Sequence, residues 1–312
     1  MVKKFILILV FGLAFILRFY LLGANPPSLD WDEASLGYNA YSILETGKDE
    51  YGTYLPLSIR SFNDHKPPLY TYLTIPAVYL FDPTEFSTRL VSAIAGFAAV
   101  IGVYFLINEL TKGKNKKLSL IAAFLFAISP WHIQFSRIAF EANLALTMFI
   151  YGTYFFLTGL NKRFMILVSM LFYALSMYAY HSERLVVPIF ITGLVVIFRQ
   201  YIWKNKKYFA LSLLLFVILI IPIIKNQLDT SSRFGSVTVI SPSERLDESI
   251  KLLAGDIEKG DFLGKWMHNR RLIFARDILG GYLDHFNFDF LFLTGDPPGR
   301  HHAVGMGMLY LA

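Results

Sequence analysis

A chain of 312 residues that is 55% hydrophobic and only 17% charged falls well short of the roughly one-quarter charge of a soluble globular protein. Its apolar residues come in bilayer-length runs, and its net charge of +6 is spread over short clusters between those runs; this excludes a soluble enzyme and a nucleic-acid-binding face. The absence of cysteine excludes disulfides, thiolate metal sites and cysteine nucleophiles.

Residues 2–22, VKKFILILVFGLAFILRFYLL, begin like a secretory signal. The apolar stretch is longer than a signal core and no small-residue cleavage site follows, so it reads as an uncleaved signal anchor. With 5–22, further runs near 89–110, 118–135, 142–160, 164–180, 185–199 and 208–224 make about seven expected spans, each near the roughly 20 residues that cross about 30 Å of hydrocarbon. Backbone amides cannot stay unpaired in lipid, so these are expected to be helices.

The connections sort by charge. Lys3 and Lys4, TKGKNKK (111–117), NKR (161–163) and RQYIWKNKK (199–207) fall on alternate sides from DWDE (30–33), SRIAFEAN (136–143), HSER (181–184) and KNQLD (225–229). The excess of Lys and Arg places the first set, and the N-terminus, in the cytoplasm and the second set outside a plasma membrane. PPLYTYLTIPAVYLF (67–81) is too short for a span and contains Pro76; counting it would put TKGKNKK outside, so it is expected to lie in the outer interface. The fold class is therefore an all-α polytopic membrane protein. A transmembrane domain covers 1–224, with an outer loop at 23–88, and an extracytoplasmic region covers 225–312. The ending LYLA, without a charged flank, reads as a C-terminal truncation with further helices missing.

Within the first outer loop, DWDEASLGYNAYSILETG predicts a short surface helix. Asp30 and Glu33 have capping-box spacing and Gly47 suits a C-cap. Ala34, Tyr38, Tyr41 and Leu44 form one apolar stripe. Asp32 and Glu33 stand in the first turn, where the helix dipole alone favours carboxylates. The same position keeps a carboxylate ionised, which suits a base acting on a hydroxyl presented at the membrane surface. His65 and Lys66 precede the interfacial segment; Lys66 either snorkels to headgroups or binds the phosphate of a lipid-linked donor.

The order of DE after the first span, then KPPLY, then STRLVSAIAG, then SR with a downstream acid resembles the GT-C polyprenyl-phosphate-sugar glycosyltransferases. The nearest groups are the family 39 protein O-mannosyltransferases and the aminoarabinose lipid A transferases. The resemblance covers most of 1–200 and the stretch LFLTGDPPGRHH…GMGMLYL. It implies a GT-C helix bundle and a polyprenyl-phosphate sugar donor, with a protein or glycolipid acceptor. Asp32 and Glu33 are the implied catalytic acids, Asp32 as base. The resemblance also matches Lys66, Arg89, Arg137 and Glu141, the last in a place where many relatives carry Asp. An accessory luminal domain of the kind found in eukaryotic mannosyltransferases is not seen.

Arg89, Arg137 and Arg184 all fall at expected outer span ends, against the orientation rule, which an anionic lipid phosphate would explain. Tyr180 flanks Arg184 and also fits an aromatic belt. Asp296, Arg300 and His301 in TGDPPGRHH fit either a charged turn or a substrate-facing role. No cofactor is assigned, since neither HExxH nor a Walker loop occurs; assistance by a divalent metal stays open. The expected activity is sugar transfer on the outer face of the membrane. A lipid-linked-sugar flippase and a non-catalytic assembly subunit are the alternatives.

Overall fold

The computed structural model describes residues 2–62, 64–229, 244–296, 302 and 305–310. Its architecture is helical, as the apolar runs require. Helix α1 (Val2–Phe19) leads into an outer segment made of α2 (Trp31–Thr46), a two-stranded antiparallel hairpin of β1 (Ile59–Ser61) and β2 (Asp64–Lys66), and α3 (Leu69–Phe81). Then follow α4 (Glu85–Leu110), α5 (Lys116–Ile128), α6 (Pro130–Arg137), α7 (Glu141–Gly159), α8 (Phe164–Ala179), α9 (Glu183–Ile197), α10 (Arg199–Lys204) and α11 (Lys206–Asp229). Beyond these lie α12 (Glu244–Lys259), α13 (Phe262–Met267), α14 (Arg270–Asp284) and a π-helical turn at Asp289–Leu293.

Among the described residues, α4 and α11 are by themselves long and apolar enough to cross a bilayer, and α5 with α6 qualifies as one span broken by 58°. The break is chemical. Pro130 has no N–H to continue the ladder and pushes Ser129 to extended backbone, ψ 124°. Helices α1, α7, α8 and α9 occupy the other expected spans with 15 to 19 residues each.

Three apolar clusters hold the bundle. One joins α7, α8, α9 and α11 around Phe156, Met170, Tyr173 and Val187; one joins α1, α4 and α5 around Ala14, Val100 and Ala123. The third, of Leu36, Tyr70, Val91, Leu144 and Ala179, seats α2 and α3 on α4, α7 and α8. Lipid offers helices no hydrophobic drive to associate, so close approach matters. Gly152 provides it: a methyl group there would sit 2.8 Å from the Tyr173 ring.

The end of α1 and the start of α4 lie together, because Arg89 of α4 donates to the carbonyl of Leu22. The segment between them, α2, the hairpin and α3 included, therefore starts and finishes at one end of the bundle. Helix α2 carries the expected caps: Asp30 accepts from the Glu33 N–H, the Glu33 side chain accepts from the Asp30 N–H, and Gly47 closes the helix at φ 70°. Its burial differs from a simple apolar face. Ser35, Leu36, Gly37, Asn39, Ala40 and Ile43 face the protein, while Ala34, Tyr38 and Tyr41 point away. The bundle-facing side must be small and hydrogen-bonded: Gly37 abuts Thr88, and Asn39 accepts from the Glu50 N–H at 3.0 Å.

Candidate active site

Two adjacent carboxylates in the first turn of α2 are separated by the helix into different environments. Glu33 is 3% exposed. Its Oε1 accepts from Arg89 Nε at 2.9 Å and from the Ala139 N–H at 2.7 Å. Its Oε2 accepts from Arg89 Nη2 at 3.0 Å and from the Asp30 N–H at 3.2 Å. Four donors occupy the four lone-pair positions of a carboxylate.

Arg89, at 0% exposure, is equally saturated. Besides Glu33, its Nη1 donates to the carbonyls of Leu22 and Pro26, at 3.3 and 2.7 Å, and its Nη2 to the carbonyl of Ser28 at 2.7 Å. All five guanidinium N–H groups thus point at protein oxygens. A planar fork with this capacity locks the α1–α2 connection to α4 as a lysine could not.

Asp32 faces outward, its side chain 35% exposed. Its Oδ1 lies 2.7 Å from Lys66 Nζ, and the same ammonium donates to the Asp32 carbonyl at 3.3 Å. The Lys66 side chain is 5% exposed. The hairpin thus delivers an enclosed ammonium to an accessible carboxylate at a helix N-terminus, where the dipole also favours negative charge.

The other expected residues gather around this turn in part. Arg137 ends α6 and folds over the end of α1, donating to the carbonyls of Leu17, Tyr20 and Asn25 at 3.0, 2.9 and 2.8 Å. Glu141 opens α7, two residues beyond the Ala139 that holds Glu33. His65 pairs with Arg60 in the hairpin, and its carbonyl is 2.7 Å from His181 Nε2, which ties the α8–α9 turn to the strands. Tyr180 caps α8 and packs against the third cluster, and Arg184 Nε reaches the Met177 carbonyl at 3.4 Å. Asp296 follows the π-helical turn, in a stretch that folds back on itself through the Leu309 N–H and the Leu291 carbonyl. Arg300 and His301 lie outside the described residues. Among the described residues, no three His, Asp or Glu side chains are grouped to hold a metal ion.

Sequence reasoning missed two residues near this site. Arg18 is the single charged residue in the apolar run 5–22, and His132 stands in the run 118–135; both are fully buried. An ionisable group inside a membrane-length segment is itself a signal of function, and that signal was readable.

A family model described as dolichyl-phosphate-mannose-protein mannosyltransferase matches residues 65–225, just over half of the chain. Two solved structures of ArnT from Cupriavidus metallidurans are similar to most of this chain. The apo state superposes with a TM-score of 0.59 at 13% identity, over 88% of this chain and 53% of the other. The state bound to undecaprenyl phosphate gives a TM-score of 0.52 at 13% identity, over 88% of this chain and 52% of the other. This chain therefore spans about half the length of the structures it matches. At that identity the likeness is one of fold, a GT-C-type transmembrane bundle. No curated protein matches the sequence.

Proposed function

The chain belongs to the dolichyl-phosphate-mannose-protein mannosyltransferase family, and from that premise we propose that it is a membrane glycosyltransferase moving a sugar from a polyprenyl-phosphate donor to an acceptor. The acceptor is a protein or glycolipid group on the outer side of the plasma membrane. The observation that carries this reading is the contact of Asp32 with Lys66 at 2.7 Å, an accessible carboxylate joined to an enclosed cation. The undecaprenyl phosphate in one ArnT structure supports the donor class.

Asp32 acts as the base. It takes the proton of the acceptor hydroxyl as that oxygen bonds to the anomeric carbon, while the bond from the anomeric carbon to the phosphate oxygen breaks. The departing phosphate gains negative charge, so a cation fixed beside it stabilises the transition state more than the ground state. Lys66 fills that role first, with Arg184 in the first turn of α9 as a further cation. Attack opposite the leaving phosphate inverts the anomeric centre.

Glu33 and Arg89 take a different part from the one their sequence positions suggested. With every donor and acceptor of the pair engaged, they hold the turn that presents Asp32 and exchange nothing with substrate. Arg137 likewise braces the α1–α2 connection. His65, Glu141 and Tyr180, at the same end of the bundle, are the substrate-facing side chains supported by their placement. The test is release of sugar from a panel of polyprenyl-phosphate sugars by the purified protein. Asp32→Asn is expected to lower turnover about 10²–10⁴-fold with membrane insertion unchanged; near-normal turnover in that variant rejects Asp32 as the base.

A further inference from the structure

Arg18 has 0% exposure inside an apolar helix, and its partners are not carboxylates. Nη1 donates to the carbonyls of Ala14 and Ala127, each at 3.1 Å, and Nη2 lies 2.6 Å from His132 Nδ1. Arginine can only donate, so His132 Nδ1 accepts and its proton sits on Nε2. The imidazole is fixed from the other side by the rings of Phe126, centroids 3.9 Å apart, and Trp131. Arg18 Nε and His132 Nε2 are buried without a hydrogen-bond partner.

As a source of stability the arrangement is poor. A buried cation without a counter-charge is costly, and an apolar side chain of similar volume would serve packing better. What the guanidinium does is join both sides of the α5–α6 break. Ala127 is in the last turn of α5, and its carbonyl loses its helical partner where Pro130 interrupts the ladder. His132 is in the first turn of α6. Gly96 of α4 leaves room at this crossing, since a methyl group there would meet Ser136 and come within 3.3 Å of Arg18 Nε.

From the break, α6 runs directly to the site. Ser92 of α4 holds the Phe135 carbonyl at 2.8 Å, Arg137 covers the end of α1, and the Ala139 N–H holds Glu33 Oε1 at 2.7 Å. We propose that Arg18 is a positioning residue for sugar transfer: by fixing the angle of the broken span through Ala127 and His132, it sets where residues 137–139 meet Glu33 and hence where Asp32 stands. This rests on the transferase reading above.

The test compares His132→Asn, His132→Leu, Arg18→Met and their combination in the full chain. Asparagine keeps an acceptor close to the place of Nδ1, whereas leucine fills the space without one. Displacing a catalytic group by about 1 Å costs on the order of 10²-fold. His132→Leu and Arg18→Met are therefore each expected to lower kcat about 10²-fold with KM within about threefold. The double variant should be no worse than the worse single one, and His132→Asn should stay within about threefold of wild type. Spin labels on cysteines placed at Trp31 and Leu125, both exposed and in a chain without native cysteine, read the geometry without activity. The distance distribution should broaden in His132→Leu and not in His132→Asn. Should His132→Asn be as impaired as His132→Leu, or Arg18→Met keep wild-type kcat, the proposal is overturned. A wild-type chain without turnover overturns the transferase reading alone, and the spin-label distances then decide the positioning.

Discussion

At the residue scale, the site turns on the difference between two neighbouring acids. Successive residues on a helix project about 100° apart, so one of two adjacent side chains can be enclosed while the next reaches solvent. Glu33 meets a bidentate arginine and two backbone amides, whereas Asp32 meets the Lys66 ammonium and keeps 35% of its side chain exposed. Removing one partner of a buried pair leaves the other charge uncompensated, at a cost of about 3–5 kcal/mol. Glu33→Gln is accordingly expected to lower the melting temperature of the detergent-solubilised protein markedly, and Asp32→Asn to lower it less, because that position is 35% exposed and asparagine keeps an oxygen acceptor for Lys66. Arg89→Lys should behave like Glu33→Gln, because one ammonium cannot supply five donors in a fixed plane. If Glu33→Gln melts with the wild type, the bracing role assigned to the pair is wrong.

At the element scale, the helices are placed by how closely their backbones approach. Gly152 admits the ring of Tyr173, whose hydroxyl then lies 3.0 Å from Thr153 Oγ1. Gly152→Ala forces α7 from α8 and is expected to cost about 1–3 kcal/mol, seen as a lower melting temperature. Gly193 of α9 gives the contrast: a methyl group there would meet nothing within 4 Å. Gly193→Ala is expected to be neutral or to stabilise by up to about 1 kcal/mol through helix propensity. A reversed ranking of the two variants would mean that the α7–α8 contact is not close-packed. The α5–α6 break belongs to this scale as well, since Pro130 and Ser129 determine that a bend occurs while Arg18 and His132 determine its angle.

At the scale of the whole molecule, the end of α1, the start of α2, the β-hairpin, the start of α4, the end of α6 and the start of α7 converge on one end of the bundle. The charge pattern predicts that this end lies outside and TKGKNKK in the cytoplasm. A cysteine in place of Trp31, 67% exposed, is expected to react with an impermeant thiol reagent in intact cells. One in place of Lys114 should react only after permeabilisation. Labelling of both from the same side would mean that the chain crosses once more, or once less, between them.

The apolar runs, the capping of α2 and the alternation of basic connections are local properties. They were legible in the residues because a bilayer demands helices of a certain length and a helix end demands particular caps. The resemblance names Asp32 as the base, but the different environments of Asp32 and Glu33 were not legible, since both have the same sequence surroundings; the enclosure of Glu33 comes from tertiary contacts. Glu33 is held by Arg89, 56 positions away, and by the Ala139 amide, 106 positions away. The outward face of Tyr38 and Tyr41 and the service of Arg18 to a broken helix more than a hundred residues downstream have the same origin. Hydrogen bonds and close contacts between distant segments exist only once the bundle has closed, and they assign to each charge its solvent, its partner and its task.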